Sequence, residues 1–140
     1  MTETSKAIRG YWVNAENATA EVVEFEDKLS EYYRMLGCDL FDIATRFIDR
    51  HEFLFFVDDC GLLRDSPRVT AIDTRGEPAL VGSLVVVARD EDDPAEVRGL
   101  TDEEIGVLMK HTQYCMVHCC GDEEAYTVRM IDGISYFQIE

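Results

Sequence analysis

Thr101 and Glu104 constrain this chain more tightly than any other pair of residues. A Thr followed three positions later by Glu, ahead of an apolar periodic run, is a capping box. The hydroxyl accepts the Glu amide proton and the carboxylate accepts the Thr amide proton, so a helix must begin there. Leu100 and Ile105 flank it as a hydrophobic staple, and Asp102, Glu103 and Glu104 place negative charge at the positive end of the helix dipole. Ile105, Leu108, Met109, Thr112, Cys115, Met116 and Cys119 then recur on one face at helical spacing, and Gly121 supplies a stop. The pattern predicts a long amphipathic helix over Thr101–Cys120.

Around this helix the chain reads as strands. Ile8–Val13 and Ala20–Phe25 form a pair across the polar stretch Asn14–Asn17. Asp27 is placed to cap a short helix carrying Leu29, Tyr32, Tyr33 and Leu36, which Gly37 ends. Phe41, Ile43 and Phe47 mark an extended segment. Phe53–Val57 is a strand followed by a hairpin turn at Asp58-Asp59-Cys60-Gly61, and Val69–Ile72 is another strand. Leu84–Ala88 is apolar on both faces and therefore central in its sheet. Asp132-Gly133, a favoured type I′ pair, predicts a last hairpin between Ala125–Ile131 and Ile134–Ile139. The expected fold class is α+β: one domain over residues 1–140, with a mostly antiparallel sheet against which one long amphipathic helix and one short helix pack.

Charge limits what such a domain can bind. The chain holds 13 Lys and Arg against 29 Asp and Glu, a net charge of −16, where a small domain ordinarily carries a magnitude of about 2–8. Direct contact with nucleic acid or an anionic membrane is disfavoured, because both are polyanions. The longest apolar runs fall far short of the ~20 residues of a membrane span. The N-terminal residues lack the apolar core of a secretory signal. Five cysteines without framework spacing read as reduced thiols, which points to the cytoplasm.

Motifs for chemistry are sparse. His111, Cys115 and His118 would share a flank of the long helix, a spacing that suits three zinc ligands, but they border a face that must be buried anyway. No metal site and no cofactor is expected. No G-x-S-x-G, P-loop or G-x-G-x-x-G occurs, and no histidine stands in a nucleophile–base pattern, so no catalytic residue is assigned and an enzyme is not expected. Arg64, Arg68 and Arg75 break the acidic trend. They are candidates for forking onto a phosphate, or for pairing with surrounding carboxylates.

The middle of the chain resembles a family of domains of unknown function, DUF3846, found mainly in phages, plasmids and integrated bacterial elements. Leu36-Gly-Cys-Asp-Leu-Phe-Asp-Ile43, Phe56-Val-Asp-Asp-Cys-Gly-Leu-Leu63, Val81-Gly-Ser-Leu-Val-Val-Val87 and the Leu-Thr-Asp-Glu-Glu opening at Leu100–Glu104 carry the resemblance. The chain departs from the family pattern at Ser66-Pro67-Arg68-Val69. The resemblance implies a mobile-element context and supplies no catalytic residues.

Two function classes follow. The first is a non-enzymatic acidic binding protein, a counter-defence inhibitor that occupies a basic, nucleic-acid-binding surface of a host nuclease or CRISPR-type effector. From Glu91 to Glu140 there are twelve acids and three bases. The partner-binding candidates form two clusters at opposite ends of the predicted helix: Asp90, Glu91, Asp92, Asp93, Glu96, Asp102 and Glu103 before it, and Asp122, Glu123 and Glu124 after it. Some twenty helical residues would separate the clusters by roughly 30 Å. The second class is a protein that binds or sequesters a small nucleotide-like ligand through its aromatics and the Arg64–Arg75 segment.

Overall fold

Leu84–Ala88 forms the middle of the structure, and the other elements are arranged by what its two faces need. The computed structural model describes residues 7–38, 40–58, 68–118 and 125–137. In chain order the elements are β1 (Ala7–Asn14), β2 (Thr19–Glu26), α1 (Leu29–Leu36), β3 (Phe41–Ile48), β4 (His51–Asp58), β5 (Val69–Asp73), β6 (Pro78–Val81), β7 (Leu84–Arg89), β8 (Val97–Arg98), α2 (Asp102–Lys110), β9 (Thr112–His118) and β10 (Ala125–Ile134). The first sheet runs β2-β1-β7-β4-β3, with β8 paired to the end of β7. The second runs β6-β5-β10-β9. Among the described residues every pairing of these strands is antiparallel except that of β10 with β5.

Side chains of a strand alternate between faces, and β7 shows the consequence. Val85 and Val87 enter one cluster with Tyr32, Met35 and Leu36 of α1, together with Phe25, Leu54 and Phe56. Leu84, Val86 and Ala88 enter the other, which holds Ala71, Leu80, Ile131 and Ile134 of the second sheet with Ile105 and Leu108 of α2. The expectation of a central, doubly buried β7 is met. α1 also matches its predicted span, ending at Gly37 with φ 64°. Its cap differs: Lys28 occupies the N-cap without a side-chain bond, and Asp27 instead accepts the Tyr32 hydroxyl at 2.9 Å.

The long helix is the main correction. The described residues are 58% strand and 15% helix, so the fold is mostly β with two short helices, in two sheets. The capping box exists as read, with Glu104 N–H donating to Thr101 Oγ1 at 3.2 Å and Thr101 N–H to Glu104 Oε1 at 2.8 Å. The helix nevertheless ends at Lys110, with His111 as its C-cap. Residues 112–118 form β9, paired with β10 from Thr112↔Ile131 to His118↔Ala125. Thr112, Tyr114 and Val117 are weak helix formers and good strand formers, and a seven-residue ladder to β10 outweighs the helical spacing. Ile105 and Leu108 are buried as expected, whereas Met109 and Met116, 59% and 66% exposed, are not. Cys115 stands on a strand rather than a helix, while Cys119 and Cys120 lie outside the described residues.

Two predicted turns also change. Asp132-Gly133 is no hairpin but an interior point of β10, where the register to β5 shifts between Ile131 and Ile134 and Gly133 alone of the pair takes a positive φ, 74°. Residues 59–61 lie outside the described residues. The strands flanking them, β4 and β5, belong to different sheets and so are not a hairpin. No helix of the described residues is long and apolar enough to cross a membrane.

Leu108 is fully buried between α2 and both sheets, so Leu108→Ala should cost about 2–5 kcal/mol through lost transfer energy and a residual cavity. Met116→Ala, on the exposed face of β9, should stay within about 0.5 kcal/mol of the parent. Denaturant unfolding of both variants checks the strand assignment, because a helix carrying Met116 into the core would make the two losses similar.

Candidate functional site

α1 covers only part of the sheet face it packs on. Eight residues at ~1.5 Å rise span about 12 Å, while five strands at ~4.8 Å spacing span about 19 Å. Tyr32 anchors the helix, stacking on Phe56 with ring centroids 4.1 Å apart and meeting Phe25 edge-on at 5.3 Å. Burial, and after it the Asp27 carboxylate, raises the Tyr32 pKa so that the phenol keeps its proton. Toward β3 the face is left open. A groove of about 290 Å³ remains there, with Tyr32, Phe41 and Phe56 as its floor, Asp27–Leu29 on one side, and Ile43 and Ala95–Val97 on others. Leu29 and Ile43 at its rim are 62% and 48% exposed.

The adjoining edge of the sheet is closed to strand addition. Phe47 exchanges backbone bonds with Ser135 at 2.9 and 2.8 Å, which sets the outward-facing positions of β3 as Phe41, Ile43, Thr45 and Phe47. The Ile43 N–H donates to the Asp42 carboxylate at 2.9 Å, and Arg46 donates to the Thr45 carbonyl at 2.8 Å. Side chains thus occupy ladder groups that another strand would need.

One wall of the groove continues into the acidic loop Asp90–Glu96, which joins β7 to β8. Two of the predicted partner-binding acids shape this loop. The Asp90 carboxylate accepts the N–H groups of Asp92 and Asp93 at 2.8 and 3.2 Å, and Asp93 accepts that of Ala95 at 3.1 Å. Arg89 donates to the Pro94 carbonyl at 2.8 Å. Glu91, Asp92 and Glu96 are exposed and join no ion pair among the described residues.

The remaining predicted residues separate. Asp102 pairs with Arg9 at 2.8 Å and Glu103 is exposed at the start of α2. Asp122, Glu123 and Glu124 lie outside the described residues, as does Arg64. α2, at nine residues, is about 13.5 Å long, so the 30 Å helical spacer between two acidic clusters does not exist. Arg68 and Arg75 stand before and after β5. Arg68 donates to the Ala15 carbonyl at 2.9 Å and lies over the Tyr126 ring, and Arg75 pairs with Glu77 at 3.6 Å and Asp73 at 3.9 Å. The structure does not bring them together.

His111, Cys115 and His118 are likewise not on one helix flank, and among the described residues no group of three or more His, Cys, Asp or Glu is arranged to hold a metal. His111 has a different role that the sequence did not disclose. Its Nδ1 lies 2.6 Å from Asp132 Oδ1 and its Nε2 2.9 Å from Asp49 Oδ2. Asp49 and Arg50 form the two-residue turn between β3 and β4, both at positive φ (49° and 71°). Asp132 comes from the irregular point of β10 and also accepts Gln113 Nε2. Only the protonated ring can donate to both carboxylates, so His111 is an imidazolium clip tying the first sheet to the second. Burial opposes its charge, but bonds to Asp132 and then Asp49 outweigh burial and raise its pKa. The bond to His111 is the main cause of a lowered Asp49 pKa, with Lys110 and His51 adding to it.

The clip works in a defined pH window. His111 contributes fully below its unfolded pKa near 6.5, and loses that contribution as pH rises through its higher folded value. Asp49 contributes above its unfolded pKa near 3.8, and loses it as pH falls through its lower folded value. The difference in Tm between the parent and His111→Gln should therefore be largest between about pH 4 and 6.5 and shrink on the alkaline side. Gly133→Ala should break the clip by another route, because a Cβ there would lie 2.9 Å from His111 Nδ1 on a backbone with φ 74°. Thermal melts across pH check both, and a Tm difference that does not change with pH would refute the clip.

Comparison with known proteins places these features. No curated protein and no solved structure matches the chain. The family described as Domain of unknown function (DUF3846) matches residues 8–113, a span that contains β1 to α2, the groove and the acidic loop. The chain belongs to that family.

Proposed function

We propose that this protein is a non-enzymatic acidic binding protein of phage or mobile-element origin. In this reading it occupies a basic, nucleic-acid-binding surface of a host nuclease or CRISPR-type effector. The supporting observation is how the fold disposes of its cations. All 13 Lys and Arg except Lys6 and Arg64 fall within the described residues. Arg9, Lys28, Arg34, Arg75, Arg89, Arg98 and Lys110 are in ion pairs. Arg46 and Arg129 lie over the rings of Tyr136 and Tyr114, Arg68 holds the β1–β2 turn, and Arg50 is also engaged. The carboxylates that remain exposed, on the Asp90–Glu96 loop and at Glu21 and Glu24 of β2, present their charge to solvent.

A binding role also suits His111, since a ring held by carboxylates at both nitrogens is not free to abstract a proton. The alternative, a nucleotide-like ligand held by the Arg64–Arg75 segment, has weaker support, because Arg68 and Arg75 are engaged on separate turns.

The test uses host proteins eluted from immobilised DNA, rebound to labelled duplex. This protein should displace the duplex at low salt, and displacement should weaken as the Debye length contracts to about 8 Å at physiological ionic strength. Exchanging Glu91, Asp92 and Glu96 for Gln or Asn should reduce it. Absence of displacement at low salt, or displacement indifferent to both salt and the exchanges, would reject the proposal.

A further inference from the structure

We infer that the α1 groove receives a single large apolar side chain from a basic segment of the partner; this rests on the acidic-binding reading above. Three observations lead there. First, the groove is apolar where a ligand would sit, with Tyr32, Phe41 and Phe56 beneath and Leu29 and Ile43 exposed at its rim. Exposed apolar side chains around a concavity are the usual mark of a contact surface. Its volume of about 290 Å³ falls just below the ~300–1,000 Å³ range of small-molecule pockets and suits one anchoring side chain.

Second, the surround is acidic. Asp27 and Glu96 line the groove, and Glu91 and Asp92 stand exposed on the loop that carries Glu96. Lys28, the cation among the lining residues, pairs with Glu26 at 3.1 Å. An apolar anchor flanked by Lys or Arg complements this arrangement, whereas one flanked by acids meets repulsion. Third, Asp42 and Arg46 occupy edge groups of β3. Attachment by strand addition is thereby blocked, which leaves insertion of a side chain. In this arrangement the carboxylates steer the partner and the groove holds it, as buried aromatic anchors do at interfaces.

The experiment uses the full chain and three short peptides: a Lys/Arg-rich peptide with one central Trp, the same peptide with Ala in that place, and an Asp/Glu-rich peptide with the Trp. Binding is followed by calorimetry and by the methyl resonances of Leu29 and Ile43. The basic Trp peptide should bind about tenfold more tightly than its Ala counterpart. Leu29→Ser and Ile43→Thr, both at exposed positions, should each remove that increment while leaving the Ala peptide unaffected. Equal binding of the two basic peptides with a preserved salt dependence would overturn the groove and leave the acidic-binding reading standing. If neither basic peptide binds at low salt, both fall. Equal binding of the acidic Trp peptide would overturn the charge requirement. A parent dimer dissolved by Leu29→Ser would assign the groove to a second copy of the chain and overturn the inference.

Discussion

The burial of β7 on both faces is the constraint on which the rest of the molecule depends. Leu84, Val85, Val86 and Val87 are completely buried, and a strand in that position needs a layer on each side as well as hydrogen-bonded neighbours along both edges. β1 and β4 supply the neighbours. The second sheet and α2 supply one layer, and α1 supplies the other. The two layers are unequal. Four strands and a nine-residue helix close one side generously, while an eight-residue helix must close the other. The groove beside Ile43 is what remains, so the candidate interface is a direct consequence of how the core is built.

Electrostatics follows the same hierarchy. Cations go where the fold needs them. Arg98 meets the buried Glu104 with two bonds at 2.8 and 3.1 Å. That contact, opposing the cost of burial, lowers the Glu104 pKa and keeps the capping box charged. Arg9 donates to the Leu100 carbonyl and to Asp102, holding β1 to the entry of α2. Once these bonds are made, a chain of net charge −16 has few cations left to screen its surface, and a strong negative field persists outside it.

What the sequence disclosed was local. β1, β2, α1, β4 and β7 announce themselves by periodicity within a few residues, and Gly37 and the Thr101–Glu104 box mark helix ends through chemistry that acts over one turn. Failure came where two periods coincide. Residues 105, 108, 109, 112, 115 and 116, apolar except for Thr112, satisfy one face of a helix, yet Thr112, Tyr114 and Met116 also satisfy the alternation of a strand. Only pairing with β10 decides between them. The Asp132-Gly133 signal misled for the same reason, since a glycine suited to a turn also suits a bulge. The His111 clip draws on Asp49 and Asp132, 62 and 21 residues away, and no spacing rule reaches that far. Leu29 and Ile43 look like core residues in the sequence; Ile43 becomes a rim residue because α1 does not cover it, and Leu29 because it opens α1 beside the uncovered part of the face.

The family span and the remainder of the chain divide the structure unevenly. Residues 8–113 include the first sheet, both helices and the acidic loop, so every element that builds the groove lies within the family's part. β10 lies beyond it, yet β10 sits between β5 and β9 and buries Val128, Ile131 and Ile134 completely. It also provides Asp132, one of the two carboxylates on His111. The C-terminal stretch is therefore an integral layer of the core, parallel to β5 and antiparallel to β9. Its contribution acts at a distance from the groove: by backing the face of the first sheet opposite α1, it holds β3, β4 and β7 in the plane that α1 leaves partly uncovered.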